Sequence, residues 1–194
     1  MNNSKEKEEN CKVNQIIETP LTKDKVQGLK SGDYVYISGT IYTARDAAHK
    51  RLFEAYNKGE ALPIELSNNI IYYLGPSPAR EGQVIGSAGP TTSSRMDKYT
   101  PLLLENGLSG MIGKGKRSME VISSIVKNKA VYFAAVGGAG ALLSKCIKEA
   151  EVVAYDDLGT EAIRKLRVEK LPVIVVIDSE GNNLYDTAPE KYVK

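Results

Sequence analysis

The chain has no tryptophan, one histidine and two cysteines in 194 residues. Each scarcity closes off a class of chemistry. Cysteines as far apart as Cys11 and Cys146 build no disulfide framework. Unaided, they are also too few for a zinc site or an iron–sulfur cluster, which take three or four ligands. With His49 as the lone histidine and no GxSxG elbow, no serine or cysteine triad is visible. HExxH and Walker-type phosphate loops are missing as well.

Long apolar runs are missing too. None approaches the roughly 20 residues that span a bilayer. The opening MNNSKEKEENCK lacks the apolar segment of a secretory signal, so a cytoplasmic protein is expected, with no membrane partner. Twenty-six basic against 24 acidic residues give a net charge of +2, without the basic excess that marks a nucleic-acid surface. What is present is 42% hydrophobic residues, enough for a real core. Composition predicts a disordered polar tail over 1–13 and a single domain over 14–194, with no linker or repeat.

The β-branched and aromatic stretch 33–44 (DYVYISGTIYTA) predicts a strand. Residues 44–59 predict a helix with Ala47, Ala48, Leu52, Ala55 and Tyr56 on one side, stopped by Gly59. Two apolar runs ended by Gly-Pro, 69–76 and 83–90, predict strands. Residues 95–107 predict a helix kinked or broken at Pro101. Then come a strand entering a loop (108–115), an amphipathic helix (116–129) and a buried strand (130–136). A helix with Cys146 on its apolar side (137–150), a strand (151–156), a helix (158–170) and a strong buried strand (171–178) follow. A turn and short edge strand (179–186) close the series. Alternation from 108 to 178 predicts a mostly parallel sheet with covering helices, and the strand-rich first half predicts a second, antiparallel layer. The expected fold is therefore α/β in three layers, sheet on sheet on helices.

Three stretches place cations beside sharply turning backbone. In TARDAAHKR, Arg45 stands near a helix N-terminus, where the dipole disfavours a cation. His49 shares its face four residues on. Spacing alone favours a surface arginine paired with Asp46 or Glu54, and a histidine packed on the helix side. In GPTTSSRMD, four hydroxyls precede a helix, more than an N-cap needs. Free N–H groups at that end bind anions, and Arg95 adds a two-pronged donor suited to a carboxylate. An anion site and an elaborate cap fit these residues equally. In MIGKGKRS, Lys114 sits between glycines at the carboxyl end of a strand, the edge where open α/β sheets bind ligands. Lys116 and Arg117 follow at once, so a solvated basic turn fits as well. The glycines of AVYFAAVGGAGALL resemble a dinucleotide fingerprint but lack its third glycine and its distant acidic residue, so they predict a tight strand-to-helix turn.

Taken in order, SGTIYTARDAAHKR, GPTTSSRMDKY, MIGKGKRS, AVGGAGALL and VEKLPVIVVIDSEGNNLYD resemble the β subunit, or C-terminal domain, of class I fumarate hydratase. L-tartrate dehydratase β subunits are close relatives of that family, and the resemblance runs from about residue 14 to about residue 190. It implies the swivelling β/β/α fold and a hydro-lyase that reversibly hydrates fumarate to L-malate. It implies a [4Fe–4S] cluster held by cysteines of a partner α subunit and not by this chain, in an α2β2 assembly. By the same resemblance, Arg45, Thr91, Arg95 and Lys114 bind the dicarboxylate. Thr91, Arg95 and Lys114 are the catalytic set, with Thr91 moving the proton beside a carboxylate. His49, Thr92 and Asp97 are expected to orient them. Ser93-Ser94 and Lys116 depart from the family pattern. An L-tartrate dehydratase subunit and a non-catalytic dicarboxylate-binding module are the alternatives.

Overall fold

The computed structural model describes residues 13–135 and 138–190. The expected tail, with Cys11, lies outside them except for Val13, where the first strand begins; Gly137 of the glycine turn lies outside as well.

Two long strands organise the chain. Strand β1 (Val13–Glu18) leads through the short helix α1 (Lys23–Gln27) to β2 (Tyr34–Thr43), in which Val35, Ile37 and Ile41 point into the core at a period of two. Helix α2 (Asp46–Asn57) buries Ala48, His49 and Leu52, spaced as one helical face requires, and ends before Gly59, whose φ is +70°. Strand β3 (Ile70–Tyr72) follows, then a 3₁₀ turn over Ser93–Met96 and helix α3 (Thr100–Glu105). Pro101 falls in the first turn of α3, where its missing N–H costs nothing, so it starts a helix instead of kinking one. Strand β4 (Gly110–Gly113), helix α4 (Met119–Asn128) and strand β5 (Val131–Ala134) complete the expected alternation.

The parallel strands run β1-β2-β3-β4-β5, and β7 (Ile163–Ile177) lies antiparallel to β2, β5 and β6 (Ile147–Ala154). Because β2 and β7 pair with each other and each also reaches the parallel strands, the ladder closes on itself through β2, β3, β4, β5 and β7. Alternate residues of β3 feed two cores. Ile70, Tyr72 and Leu74 pack with Leu166, Val168 and Val173 of β7, while Ile71 and Tyr73 pack under α2, α3 and α4 with Leu52, Leu103 and Ile125. Both faces of the parallel strands are thus buried, which produces the layered α/β architecture expected from the alternation.

Four elements differ from expectation. Residues 158–170 form a 3₁₀ turn and the first half of β7, not a helix. Buried Ile163 and Leu166, then Val168 and Leu171, sit three apart and imitate helical spacing. The second interval is a β-bulge, since β7 spends three steps from Val168 to Leu171 against two on β2, with Lys170 left-handed at φ 49°. Residues 83–90 form no strand; Pro90 makes one isolated bridge to Leu74. The helix expected over 137–150 shrinks to α5 (Gly140–Leu143) and a 3₁₀ turn, after which Ile147 opens β6. Cys146 is therefore on that turn, half-buried, and not on a helix face. The expected edge strand over 179–186 is a turn running into helix α6 (Leu184–Glu190). Among the described residues no helix is long and apolar enough to cross a membrane.

Candidate active site

Since β2, β3, β4 and β5 are parallel, their carboxyl ends share one edge of the sheet. Arg45 follows β2, Gly75 follows β3, Lys114 follows β4, and Gly138 and Gly140 follow β5. Antiparallel β7 brings its amino end, with Glu161 just before it, to the same edge. A cavity of about 350 Å³ opens there, lined by Gly75, Ser87, Pro90, Lys114, Gly138 and Gly140 among others. Gly75, Gly89, Gly138 and Gly140 carry no side chain beyond Cα, so backbone forms much of the wall. At Gly140 a Cβ would lie 2.9 Å from the backbone N of Gly89, so the close approach of the two loops requires glycine there.

Arg45 is the N-cap residue of α2, and its side chain lies against Gly75, whose Cβ, if present, would be 2.8 Å from it. The cation at a helix start is explained by its neighbours. Glu161 accepts the Ala47 N–H at 2.7 Å, capping the helix from a distant part of the chain, and its other oxygen is 3.4 Å from Arg45 Nε. Asp46 lies between two arginines: its Oδ2 accepts from Arg45 Nε at 3.0 Å and its Oδ1 from Arg95 Nε at 2.7 Å. Burial works against the Asp46 charge, but the hydrogen bonds from Arg45 and the backbone, with the Arg95 charge, hold its carboxyl below the usual range. Both guanidiniums use Nε on this carboxylate. Among the described residues the terminal nitrogens of neither donate elsewhere, which leaves two forks free for carboxylates. Of the two partners expected for Arg45, Asp46 is the one found; Glu54 is 3.7 Å from Lys50 instead.

The GPTTSSR segment is fastened to the lysine loop. Thr92 bridges to Lys114, the Ser93 N–H donates to the Lys114 carbonyl at 2.9 Å, and the Lys114 N–H donates back to Ser93 Oγ at 3.1 Å. Thr91 follows the cavity-lining Pro90 and donates its backbone N–H to Tyr73; its hydroxyl has no hydrogen-bond partner among the described residues. The Lys114 ammonium likewise makes no ion pair there. Arg95, half-exposed on Asp46, does not line the cavity wall that holds Lys114. Lys114 thus lines the cavity, Thr91 follows its Pro90, Arg45 lies against its Gly75, and Asp46 ties Arg45 to Arg95.

Two residues expected to orient the site are occupied elsewhere. Asp97 accepts from buried Arg117 at 2.7 Å and from the Ser118 N–H at 2.8 Å, tying the loop to the start of α4. His49 is fully buried, edge-on to Tyr73, with Nδ1 3.1 Å from the Arg45 carbonyl. That carbonyl only accepts, so Nδ1 carries the proton and the buried Nε2 has no partner among the described residues. Burial, partly opposed by this hydrogen bond, lowers the His49 pKa to about 4. An unfolded chain takes up that proton near pH 6.5. In the interval between, the unfolded state holds more protons, so stability is fully present above pH 6.5 and is lost as pH falls toward 4. We expect wild type to lose about 3 kcal/mol more than His49→Phe between pH 7.5 and 4 in urea titrations. Parallel pH dependences would show that His49 is not buried neutral.

Residues 1–188 match the family described as Fumarase C-terminus. The chain belongs to this family. The putative L(+)-tartrate dehydratase subunit beta of Methanocaldococcus jannaschii is 40% identical over 177 residues, covering 88% of this chain and 91% of that protein. Fumarate hydratase 2 of Leishmania major is 40% identical over 156 residues, covering 79% of this chain and 28% of its own length. The aerobic class I fumarate hydratase of Escherichia coli is 41% identical over 151 residues, 77% of this chain and 28% of that protein. The chain thus spans under a third of these two fumarate hydratases and nearly all of the tartrate dehydratase subunit. Members of the fumarase C-terminal family are parts of hydro-lyases, and the class I fumarate hydratases depend on iron–sulfur chemistry. The residues described here do not fit such a cluster. Among them no three His, Cys, Asp or Glu gather as ligands. Their one thiol, Cys146, whose pKa burial raises, contacts the Lys170 carbonyl in a separate groove with Lys145 and Lys148.

Sequence reasoning missed Glu161, Ser93 and Gly75. Glu161 and Ser93 carried no local signal, since an isolated glutamate and one serine among several look ordinary. Gly75, in a Gly-Pro pair, was legible only as a turn.

Proposed function

We propose that the chain is the β half of a two-part class I fumarate hydratase, reversibly hydrating fumarate to L-malate. A separate α subunit holds the [4Fe–4S] cluster and completes the site, so this chain alone is inactive. Two α and two β chains form the assembly. Arg45, Arg95 and Lys114 bind the substrate dianion, and the unpartnered Thr91 hydroxyl exchanges the proton beside a carboxylate, made acidic enough by the cations around it. The observation that supports this best is Asp46 ordering two guanidiniums by Nε while their terminal nitrogens stay free. That arrangement suits a rigid, doubly negative acid.

A second reading, the β subunit of an L-tartrate dehydratase, is favoured by the archaeal relative that this chain matches over 91% of its length. The same cradle serves, with extra hydroxyls to bind. Anaerobic reconstitution with the α subunit, followed by turnover of fumarate, L-malate and L-tartrate, separates the two. Malate dehydration is expected to dominate. Fast tartrate turnover with negligible malate dehydration selects the second reading, and no turnover of any of them by a formed complex rejects both.

A further inference from the structure

We infer that Tyr132, Ser93 and Tyr185 are positioning residues that hold the Lys114–Gly115 backbone so that the Lys114 ammonium reaches substrate, an inference resting on the role given to Lys114 above. Four groups form a ring. The Lys114 N–H donates to Ser93 Oγ at 3.1 Å, Ser93 Oγ is 2.9 Å from the Tyr132 hydroxyl, and that hydroxyl donates to the Gly115 carbonyl at 2.9 Å. Only one proton order is possible. A carbonyl accepts, so the Tyr132 proton points to Gly115; Ser93 must then donate to Tyr132 and accept from Lys114. Ser93 and Tyr132 are fully buried, so the bond between them is made away from water, and their bonds to the backbone are partly buried. Burial also pushes the Tyr132 phenol up, which keeps its proton on the oxygen.

The ring runs from the N–H of one residue to the carbonyl of the next, so it fixes the 113–114 and 115–116 peptides, and the 114–115 peptide between them is held by the Ser93 N–H, which donates to the Lys114 carbonyl at 2.9 Å. Outside it, the Gly115 N–H donates to the Tyr185 hydroxyl at 3.2 Å, bringing α6 against the same turn. Gly115 has φ +83°, and a Cβ on Gly113 would lie 2.0 Å from Ser93 Oγ, so the glycines around Lys114 permit both the turn and the approach of the serine. The result is a rigid stem beneath a side chain that has no ion pair among the described residues.

The test is a double-mutant cycle on the α-complemented enzyme. Tyr132→Phe is expected to lower kcat/KM about 10- to 100-fold, since a misplacement on the order of 1 Å costs up to about 10²-fold. In a Lys114→Met background the same change is expected to cost less than about twofold, because nothing remains to be positioned. Tyr185→Phe, at a half-buried position whose loss leaves the ring intact, provides a second cycle if Tyr132→Phe folds poorly, and its smaller effect is expected to vanish in the same background. A purely structural role lowers thermal stability but leaves kcat/KM per folded enzyme unchanged, or costs equally in both backgrounds; either result overturns the inference. Wild-type rates for Lys114→Met alone overturn the role of Lys114 itself, so the two failures are distinguishable.

Discussion

Lys114→Met is expected to reduce kcat/KM of the α-complemented enzyme by about 10²- to 10³-fold, the loss typical of removing one preorganised charged donor from a developing negative charge. Its melting temperature is expected to stay within about 2 °C of wild type, because exposed substitutions outside special features seldom move stability by more than about 0.5 kcal/mol. The two halves of this expectation have separate causes. The backbone of Lys114 is held by the Ser93 ring, which the substitution leaves alone. The ammonium is exposed, makes no ion pair among the described residues and lines the cavity at the carboxyl edge of the parallel strands. Its charge therefore contributes little to folding and is available to a ligand. Steady-state rates with malate, read beside thermal unfolding of the same preparation, check both halves. A rate within threefold of wild type would remove Lys114 from the cradle.

Arg117→Met is expected to destabilise the fold by about 3–5 kcal/mol, the usual result of removing one partner of a buried ion pair. The Arg117 side chain is 0% exposed and its partner Asp97 15%. The guanidinium donates to Asp97 at 2.7 Å and to Thr100 at 2.7 Å, with the Tyr73 hydroxyl at 3.4 Å. It also lies over the rings of Tyr73 and Tyr132, at 5.4 and 5.0 Å. Burial opposes its charge, but Tyr73 and Asp97 outweigh that and hold the group above its ordinary pKa. Methionine fills much of the volume but leaves the Asp97 carboxylate, among the described residues, with the Ser118 N–H alone, at a position largely shielded from water. Arg117→Lys is expected to recover only part of the loss, since one ammonium cannot span Asp97 and Thr100 as a planar fork does. Urea denaturation gives the number; a change under 1 kcal/mol would mean the pair is not buried in solution.

These two cations are three residues apart in MIGKGKRS, and the sequence offers the same reading for both, a ligand-binding or solvated basic turn. Packing separates them. Lys114 leaves β4 at the open edge of the sheet, whereas Arg117 turns under α3 into the core beneath the helices, where Tyr73 and Asp97 meet it. A pattern of residue types records that charges are present; it does not record on which side of a layer each one falls.

Elements with one exposed and one buried side were legible in the sequence. In β2 the apolar residues recur every second position, and in α2 they follow one helical face, so local periodicity carried the answer. The second half of strand β7 matches the buried strand expected over 171–178, but its first half was not legible. Its bulge at Lys170 and its helix-forming Glu, Lys, Arg and Leu residues mimic a helix over 158–170, and it is a strand because β2 and β6 supply hydrogen-bond partners along both its edges. In the site, cations beside sharply turning backbone marked Arg45, Arg95 and Lys114, and the family resemblance added Thr91 and the substrate-binding roles, whereas Glu161 was invisible because the residue it caps, Ala47, lies 114 positions away.

By itself the sequence determined the α/β class, the loops rich in glycine, hydroxyls and cations, and the scarcity of sulfur ligands, because each is a property of residue type and near-neighbour spacing. Packing alone pairs Asp46 with both Arg45 and Arg95 and Asp97 with Arg117, and leaves Lys114 without an ion pair among the described residues. Those outcomes depend on parallel strands bringing their carboxyl ends to one edge, which sets distances between residues that no local pattern encodes.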